Sequence, residues 1–249
     1  MTLSAKYNMI YPPLVARIIA EESEKKDPTK AAKTRMHQLY GAYLQGNAHK
    51  KAAGLLEEPA EKILQLHAST KERLPHLQDF FAFVLKHAGE SVTQILDLGC
   101  GFNPFSIPLM PRELTRNLAA YHAYDIDLRT RDLLNIFFGK IGLPPAAACA
   151  DLAVETPSEA VDVAFMLKLV PVLEAQCKNR GFSLANALNT RFLVVSFPTK
   201  SLGGRDKGME KNYAALFANA CESGLLHNFT QTATAHIGNE LVYILARCP

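Results

Sequence analysis

The densest group of residues able to do chemistry is Ile95-Leu96-Asp97-Leu98-Gly99-Cys100-Gly101-Phe102-Asn103-Pro104. An apolar run with strand character leads straight into Gly-x-Gly. Glycines at such a turn reach backbone angles closed to other residues and let a ligand approach the main chain. A dinucleotide fingerprint would add a third glycine and seat a pyrophosphate on the next helix N-terminus. Asn103-Pro104 stands there instead. The departure weighs against NAD or FAD and suits a cofactor with an amino-acid tail and no phosphate; a purely structural glycine turn is the alternative. Tyr124-Asp125-Ile126-Asp127 ends the next apolar run. An acid about 20 residues beyond the glycines is placed to accept hydrogen bonds from both hydroxyls of a ribose. Asp125 follows directly on the strand and is preferred to Asp127. A third acid, Asp151, ends the third run, where its carboxylate or the Leu152 amide can meet the amino edge of an adenine. One acid at a strand end can equally be a helix cap. Three consecutive strands ending in Gly-x-Gly, Asp and Asp-Leu mark one ligand-binding edge.

The elements that must carry these residues are legible in the hydrophobic pattern. Short β-like runs cover 93–98, 121–126, 146–152, 161–169 and 192–197, with helical stretches over 77–87, 129–141, 172–188 and 209–223. Alternation of this kind predicts a mostly parallel α/β sheet. Two last runs, 229–237 and 240–246, are joined by Gly238-Asn239, a dipeptide suited to a tight hairpin. A closing antiparallel hairpin is typical of the Rossmann-like class I S-adenosylmethionine-dependent methyltransferase fold. The first 75 residues read as helices: Pro12-Pro13 opens one, Asp27-Pro28-Thr29 caps a second, and a third covers 58–66. The expected organisation is an N-terminal helical subdomain over 1–75 and a sheet domain over 76–249.

Charge is uneven. Lys25, Lys26, Lys30, Lys33, Arg35, Lys50 and Lys51 face a single acid, Asp27, whereas 76–249 holds fifteen basic and sixteen acidic residues. A basic block on a near-neutral body fits a polyanionic partner, in practice nucleic acid; a solvated helix face is the alternative. No apolar run approaches the ~20 residues that span a bilayer. No secretory signal is recognisable, and five scattered cysteines without a CxxC pair suit a reducing cytoplasm. Eight histidines without HExxH or paired spacing give no metal site.

Taken together, Leu66-His67-Ala68-Ser69-Thr70-Lys71-Glu72-Arg73, Leu98 to Pro104, Tyr124 to Asp127, and Ser196-Phe197-Pro198-Thr199-Lys200 through Arg205, Lys207 and Tyr213 resemble the aminoglycoside-resistance 16S rRNA guanine-N7 methyltransferases of the Arm/Rmt type. The resemblance covers nearly the whole chain in order. It implies S-adenosylmethionine as cofactor, with Tyr43, Ala68, Ser69, Thr70 and Arg73 as a lid whose arginine pairs the cofactor carboxylate. It places Gly99 under the methionine part, Asp125 at the ribose, Asp151 and Leu152 at the adenine, and Leu167 and Gln176 along the wall, with Gly101 of the same turn also at the cofactor. An arginine offers a planar bidentate clamp for a carboxylate. Lys200, Arg205 and Lys207 are expected at RNA phosphates beside the target base. The implied partner is the 30S subunit, with no DNA and no membrane, and the expected state is a monomer.

The fourth run ends Met166-Leu167-Lys168-Leu169-Val170-Pro171, without the Asp/Asn-Pro-Pro-aromatic tetrad that enzymes acting on exocyclic amines place here. Guanine N7 carries a lone pair and no proton, so its methylation needs alignment and no general base. Lys168 is a candidate to orient guanine O6 or a phosphate, or simply a strand-end lysine. Two rival readings are a small-molecule methyltransferase of the same fold and a non-catalytic ribosome-binding factor.

Overall fold

The computed structural model describes residues 7–41, 47–89, 91–200 and 208–249. Tyr43, Arg205 and Lys207 lie outside the described residues. The N-terminal helices are α1 (Pro12–Glu21), α2 (Pro28–Met36), α3 (Ala48–Ala53), α4 (Ala60–Leu64) and α5 (Ala68–Arg73). Then follow α6 (Leu77–Ala88), β1 (Gln94–Leu98), α7 (Arg112–Thr115), β2 (Ala120–Asp125), α8 (Leu128–Lys140) and β3 (Ala147–Cys149). The chain continues through β4 (Val161–Leu167), α9 (Val170–Glu174), α10 (Arg180–Ala187), β5 (Thr190–Pro198), α11 (Met209–Glu222), β6 (Phe229–Ile237) and β7 (Glu240–Arg247).

The seven strands form one sheet in the order β3-β2-β1-β4-β5-β7-β6. The first five run parallel, and β7 enters antiparallel between β5 and β6. This is the class I methyltransferase arrangement with its closing hairpin. Strand order reverses between β1 and β4, and such switch points place ligands at the carboxyl ends of the strands.

Both faces of the sheet are covered, which explains why β4 is apolar at every position but Asp162. Ile95 points into one core with Phe80, Phe105 and Phe138, beneath α3, α4, α6 and α8. Leu96 and Leu98 point into the other with Phe182, Phe197 and Phe217, beneath α9, α10 and α11. β6 is the edge strand: its residues are largely exposed and polar, and a register shift falls between Gln231 and Ala233. Charged or irregular edges of this sort discourage pairing with other chains.

The expected helical subdomain divides in two. Ala48, Ala52, Ile63 and Leu64 belong to the main core under β1. Tyr7, Ile10, Leu14, Ile18, Ala32 and Met36 form a separate cluster, joined by Ile126 from the β2–α8 loop. Burying an Ile or Leu side chain such as Ile18 stabilises by about 2 kcal/mol. Backbone hydrogen bonds reinforce that docking: Tyr11 N–H donates to Ile126 O at 2.8 Å and Leu128 N–H to Met9 O at 2.9 Å. The expected helix over 172–188 is broken at Asn179, which adopts φ 64°. Glu174 accepts from Asn179 N at 2.7 Å and Gly181 N at 2.9 Å, so the carboxylate that ends α9 satisfies the opening amides of α10. The expected third strand is short because the chain leaves the sheet at Ala150.

Candidate cofactor cleft and active site

A cleft opens at the carboxyl ends of β1, β2, β3 and β4, with about 1070 Å³ of empty space including its mouth. Its floor is the turn after β1. Gly99 and Gly101 have φ 63° and 51°, a region that disfavours any Cβ. A Cβ on Gly99 would lie 2.9 Å from Leu169 Cδ1, and one on Gly101 would lie 2.7 Å from His67 Nε2. Gly101 N–H donates to Asp125 Oδ2 at 2.9 Å, while Asp127 N–H donates to Oδ1 at 2.9 Å. The turn therefore aims the Asp125 carboxylate, and burial raises its pKa to about 6. Asp127 has a different task. It caps α8 by accepting from Arg129 N at 2.8 Å and pairs with the Arg129 guanidinium.

One end of the cleft rests on a buried polar network. Arg73 Nε and Nη2 hold the two carboxylate oxygens of Glu240 at 2.9 and 3.0 Å, and Nη1 donates to Asn103 Oδ1 at 3.0 Å. Asn103 Nδ2 in turn donates to Asp97 Oδ2 at 2.9 Å, and Tyr121 Oη donates to the same oxygen at 2.8 Å. Burial raises the Asp97 pKa to about 6. Glu240 is held below its ordinary value despite its burial, through the charges of Arg73 and Lys168 and hydrogen bonds from Arg73 and Ser196. Three of the five N–H groups of Arg73 are used in this way, so its lining of the cleft leaves donors for a further anion.

Lys168 lines the same end of the cleft. Its ammonium donates to Glu72 Oε2 at 2.7 Å and lies 3.5 Å from Glu240 Oε1, and its side chain is 9% exposed. It is a cation of the buried network, and it holds φ 58°, with its N–H on Ser196 O at 3.0 Å. A non-glycine residue held there by surrounding contacts is the kind of strained backbone that collects at functional sites.

The other end lies beyond β3. Asp151, expected at the adenine, has both oxygens held by Arg17, from Nε at 2.6 Å and Nη2 at 3.0 Å. The same Nη2 reaches Gln176 Oε1 at 2.9 Å, and Nη1 reaches Glu21 Oε1 at 2.9 Å. The walls between the two ends are apolar: Leu14 and Leu39 from the N-terminal helices face Ile126, Leu152, Leu167 and Leu173. Ser69 and Thr70 line the cleft from α5. Thr70 Oγ1 is turned back onto Leu64 O at 2.6 Å, and Ala68 opens α5 outside the lining.

Outside the cleft, Lys25, Lys26 and Lys30 line a wide open groove against Pro171 and Ala175, continuous with the cleft through Leu39, Val172 and Gln176. Lys33, Lys50, Lys51 and Lys200 are exposed. Arg35 is drawn into ion pairs with Glu21 at 2.7 Å and Glu22 at 2.9 Å, and so ties α2 to α1. Among the described residues, no group of acidic, histidine and cysteine side chains is arranged to hold a metal, and no helix is long and apolar enough to cross a membrane.

The network residues Asp97, Asn103 and Glu240, and Arg17 at the opposite end, were not among the expected site residues. Asp97 and Asn103 stand inside the glycine motif, so a signal for them was present. Glu240 and Arg17 gave none, since each acts through a residue more than 130 positions away.

The ribosomal RNA methyltransferase (FmrO) family profile matches residues 3–244. A 16S rRNA (guanine(1405)-N(7))-methyltransferase of Serratia marcescens is 37% identical, covering 98% of this chain and 94% of that protein. One of the same name from Micromonospora rosea is 32% identical, covering 98% and 93%. Among solved structures, the 16S rRNA methyltransferase RmtF in complex with S-adenosyl-L-homocysteine superposes with a TM-score of 0.85 at 33% identity, covering 97% of this chain and 93% of its own. The 16S rRNA methylase RmtB superposes with 0.82 at 32% identity, covering 98% and 94%. On the profile match and these full-length relatives, this chain belongs to the FmrO family of ribosomal RNA methyltransferases.

Proposed function

We propose that this protein methylates N7 of guanine 1405 in 16S rRNA of the 30S subunit, the position for which its relatives are named, using S-adenosylmethionine. The observation that carries the reading is the cleft itself: a glycine floor with Asp125 aimed from one side and Arg73 held buried on the other.

The residues present fit that cofactor. A Cβ-free floor admits close approach of a ligand, and apolar walls suit a flat purine. The Asp125 oxygens each accept one backbone N–H and keep lone pairs for ribose hydroxyls. The two N–H groups left on Arg73 suit the tail carboxylate, and Asp97 lines the same end as a partner for the tail ammonium. When bound, S-adenosylmethionine supplies a sulfonium-activated methyl group. The chain contributes alignment and exclusion of water. Since N7 bears no proton, no residue is assigned as general base. Lys25, Lys26, Lys30, Lys33, Lys50 and Lys51 supply exposed positive charge for phosphates, with Lys200 at the end of β5, and the groove beside α9 carries that charge to the cleft mouth. Double-stranded rRNA is recognised largely through shape and phosphates, which needs such a surface more than base-specific contacts. The target guanine is extruded into the cleft mouth. The protein acts in the cytoplasm as a monomer, where the modified guanine blocks deoxystreptamine aminoglycosides.

Expression in a sensitive bacterial host tests this. Growth in gentamicin and kanamycin, with apramycin sensitivity retained, is expected. Unchanged sensitivity to gentamicin and kanamycin with abundant soluble protein would overturn the proposal.

A further inference from the structure

We infer that Arg17 is a positioning residue for the adenine end of the cofactor, supplied by the N-terminal helices to the sheet domain. The inference rests on the cofactor reading above.

Arg17 stands on α1, far from every motif that marks the site. Its guanidinium nevertheless holds both oxygens of Asp151 and the side-chain oxygen of Gln176. These two residues flank the cleft beyond β3 and α9, where a purine lies if its ribose is on Asp125. The Asp151 side chain is 3% exposed and its Oδ1 also accepts from Ala153 N at 3.2 Å. The carboxylate is thereby committed to Arg17 and to the turn that presents Leu152. Gln176 is fixed as well, because its oxygen takes Arg17 while its amide nitrogen donates to Val172 O at 3.3 Å. A carboxylamide whose oxygen is bound this way has one orientation, and a bidentate arginine sets it more sharply than a point charge does.

The adenine edge is therefore read by the backbone of the Asp151–Ala153 turn and by an oriented Gln176, with Arg17 holding both from behind. α1 is itself anchored by Leu14 and Ile18 in the N-terminal cluster and by Tyr11 N–H on Ile126 O. The helices that carry the basic face thus also complete the cofactor site. Glu21 extends the link, since it accepts from Arg17 and pairs with Arg35 on α2.

Calorimetric titration with S-adenosylhomocysteine and with S-inosylhomocysteine, whose 6-oxo group and N1–H invert the hydrogen-bonding edge of the purine, tests this on the full chain. The wild type is expected to prefer the adenosyl ligand by at least about tenfold, the cost of mismatching a buried hydrogen-bonding edge. In Arg17→Gln the adenosyl affinity should fall about tenfold and the preference should shrink towards unity, with the thermal midpoint recorded to confirm folding. Arg17→Lys keeps a charge but cannot hold both groups, so an intermediate preference is expected; it also serves if Arg17→Gln fails to fold. Variants that keep the wild-type preference overturn the inference, including variants in which both affinities fall together, because that is what a merely structural tie would give. A wild type that binds the two ligands equally also overturns it. A wild type that binds neither ligand removes the cofactor reading and this inference together.

Discussion

Two arginines from the N-terminal helices clamp two carboxylates of the sheet domain, one at each end of the same cleft, and they differ in depth. Arg73 and Glu240 are 3% and 4% exposed in their side chains and share their surroundings with Lys168, Glu72, Asn103 and Asp97. Arg17 is 16% exposed over a buried Asp151. In a buried pair the desolvation of both ions is large, so loss of one partner leaves an uncompensated charge; at a rim, water takes over part of the lost interaction. The first clamp is accordingly part of the protein's stability, while the second is free to act mainly on ligand geometry.

Breaking the deep clamp should give the largest effect. Arg73→Ala is expected to cost about 3–5 kcal/mol in denaturant unfolding, with Glu240 left in the interior, and to remove adenosylhomocysteine binding. Arg17→Ala should cost less, about 2 kcal/mol in the same measurement, because Arg17 is part-exposed and its removal lets water reach the Asp151 carboxylate. Equal losses would remove the distinction between the two ends. Next is the acid between them. If Asp125 holds the ribose as proposed, Asp125→Ala should weaken adenosylhomocysteine about a hundredfold by calorimetry, with a small change in unfolding midpoint.

The pH dependence of binding sharpens the same point. Burial raises the Asp125 pKa to about 6, and only its carboxylate form accepts from both ribose hydroxyls. Affinity should therefore be flat above about pH 7 and decline as pH falls through about 6, by up to tenfold per unit. Asp97 shares the raised value and the same sign, since its anion is the form that pairs with an ammonium, so loss of both charges steepens the decline to as much as about a hundredfold per unit. Affinity constant down to pH 5 would contradict the assignment of both acids. The smallest expected effect lies on the surface. Lys30→Gln should leave adenosylhomocysteine binding untouched and lower the salt dependence of 30S binding by about one in log–log slope. An unchanged slope would remove Lys30 from the docking face. An unchanged turnover on 30S after neutralising all of Lys25, Lys26, Lys30 and Lys33 would remove that whole face from docking.

What the sequence disclosed follows the reach of its signals. Period-two and period-3.6 patterns are local, so β1, β2, α6, α8 and the final hairpin were legible within a residue or two. The glycine turn and Asp125 were legible because the backbone angles at Gly99 and Gly101 leave so few residue types permissible. The split between α9 and α10 was not, because it depends on Asn179 taking a left-handed conformation that Glu174 supports from five residues away. The clamps were hidden for a stronger reason. The Arg73–Glu240 and Arg17–Asp151 pairs span 167 and 134 positions, and nothing local tells an arginine which carboxylate it will meet. Asp151 and Lys168 show the consequence: both line the cleft, and the partners that hold their charges, Arg17 and Glu72, could not be read from the sequence.

The most direct test of the account is to incubate purified 30S subunits with the protein and S-adenosylmethionine, then locate strand scission after borohydride and aniline by reverse transcription. A single new stop at guanine 1405, absent without cofactor and absent with Asp125→Ala, is the predicted result. Folded protein that binds the cofactor yet leaves that guanine intact, or marks a different base, would contradict it.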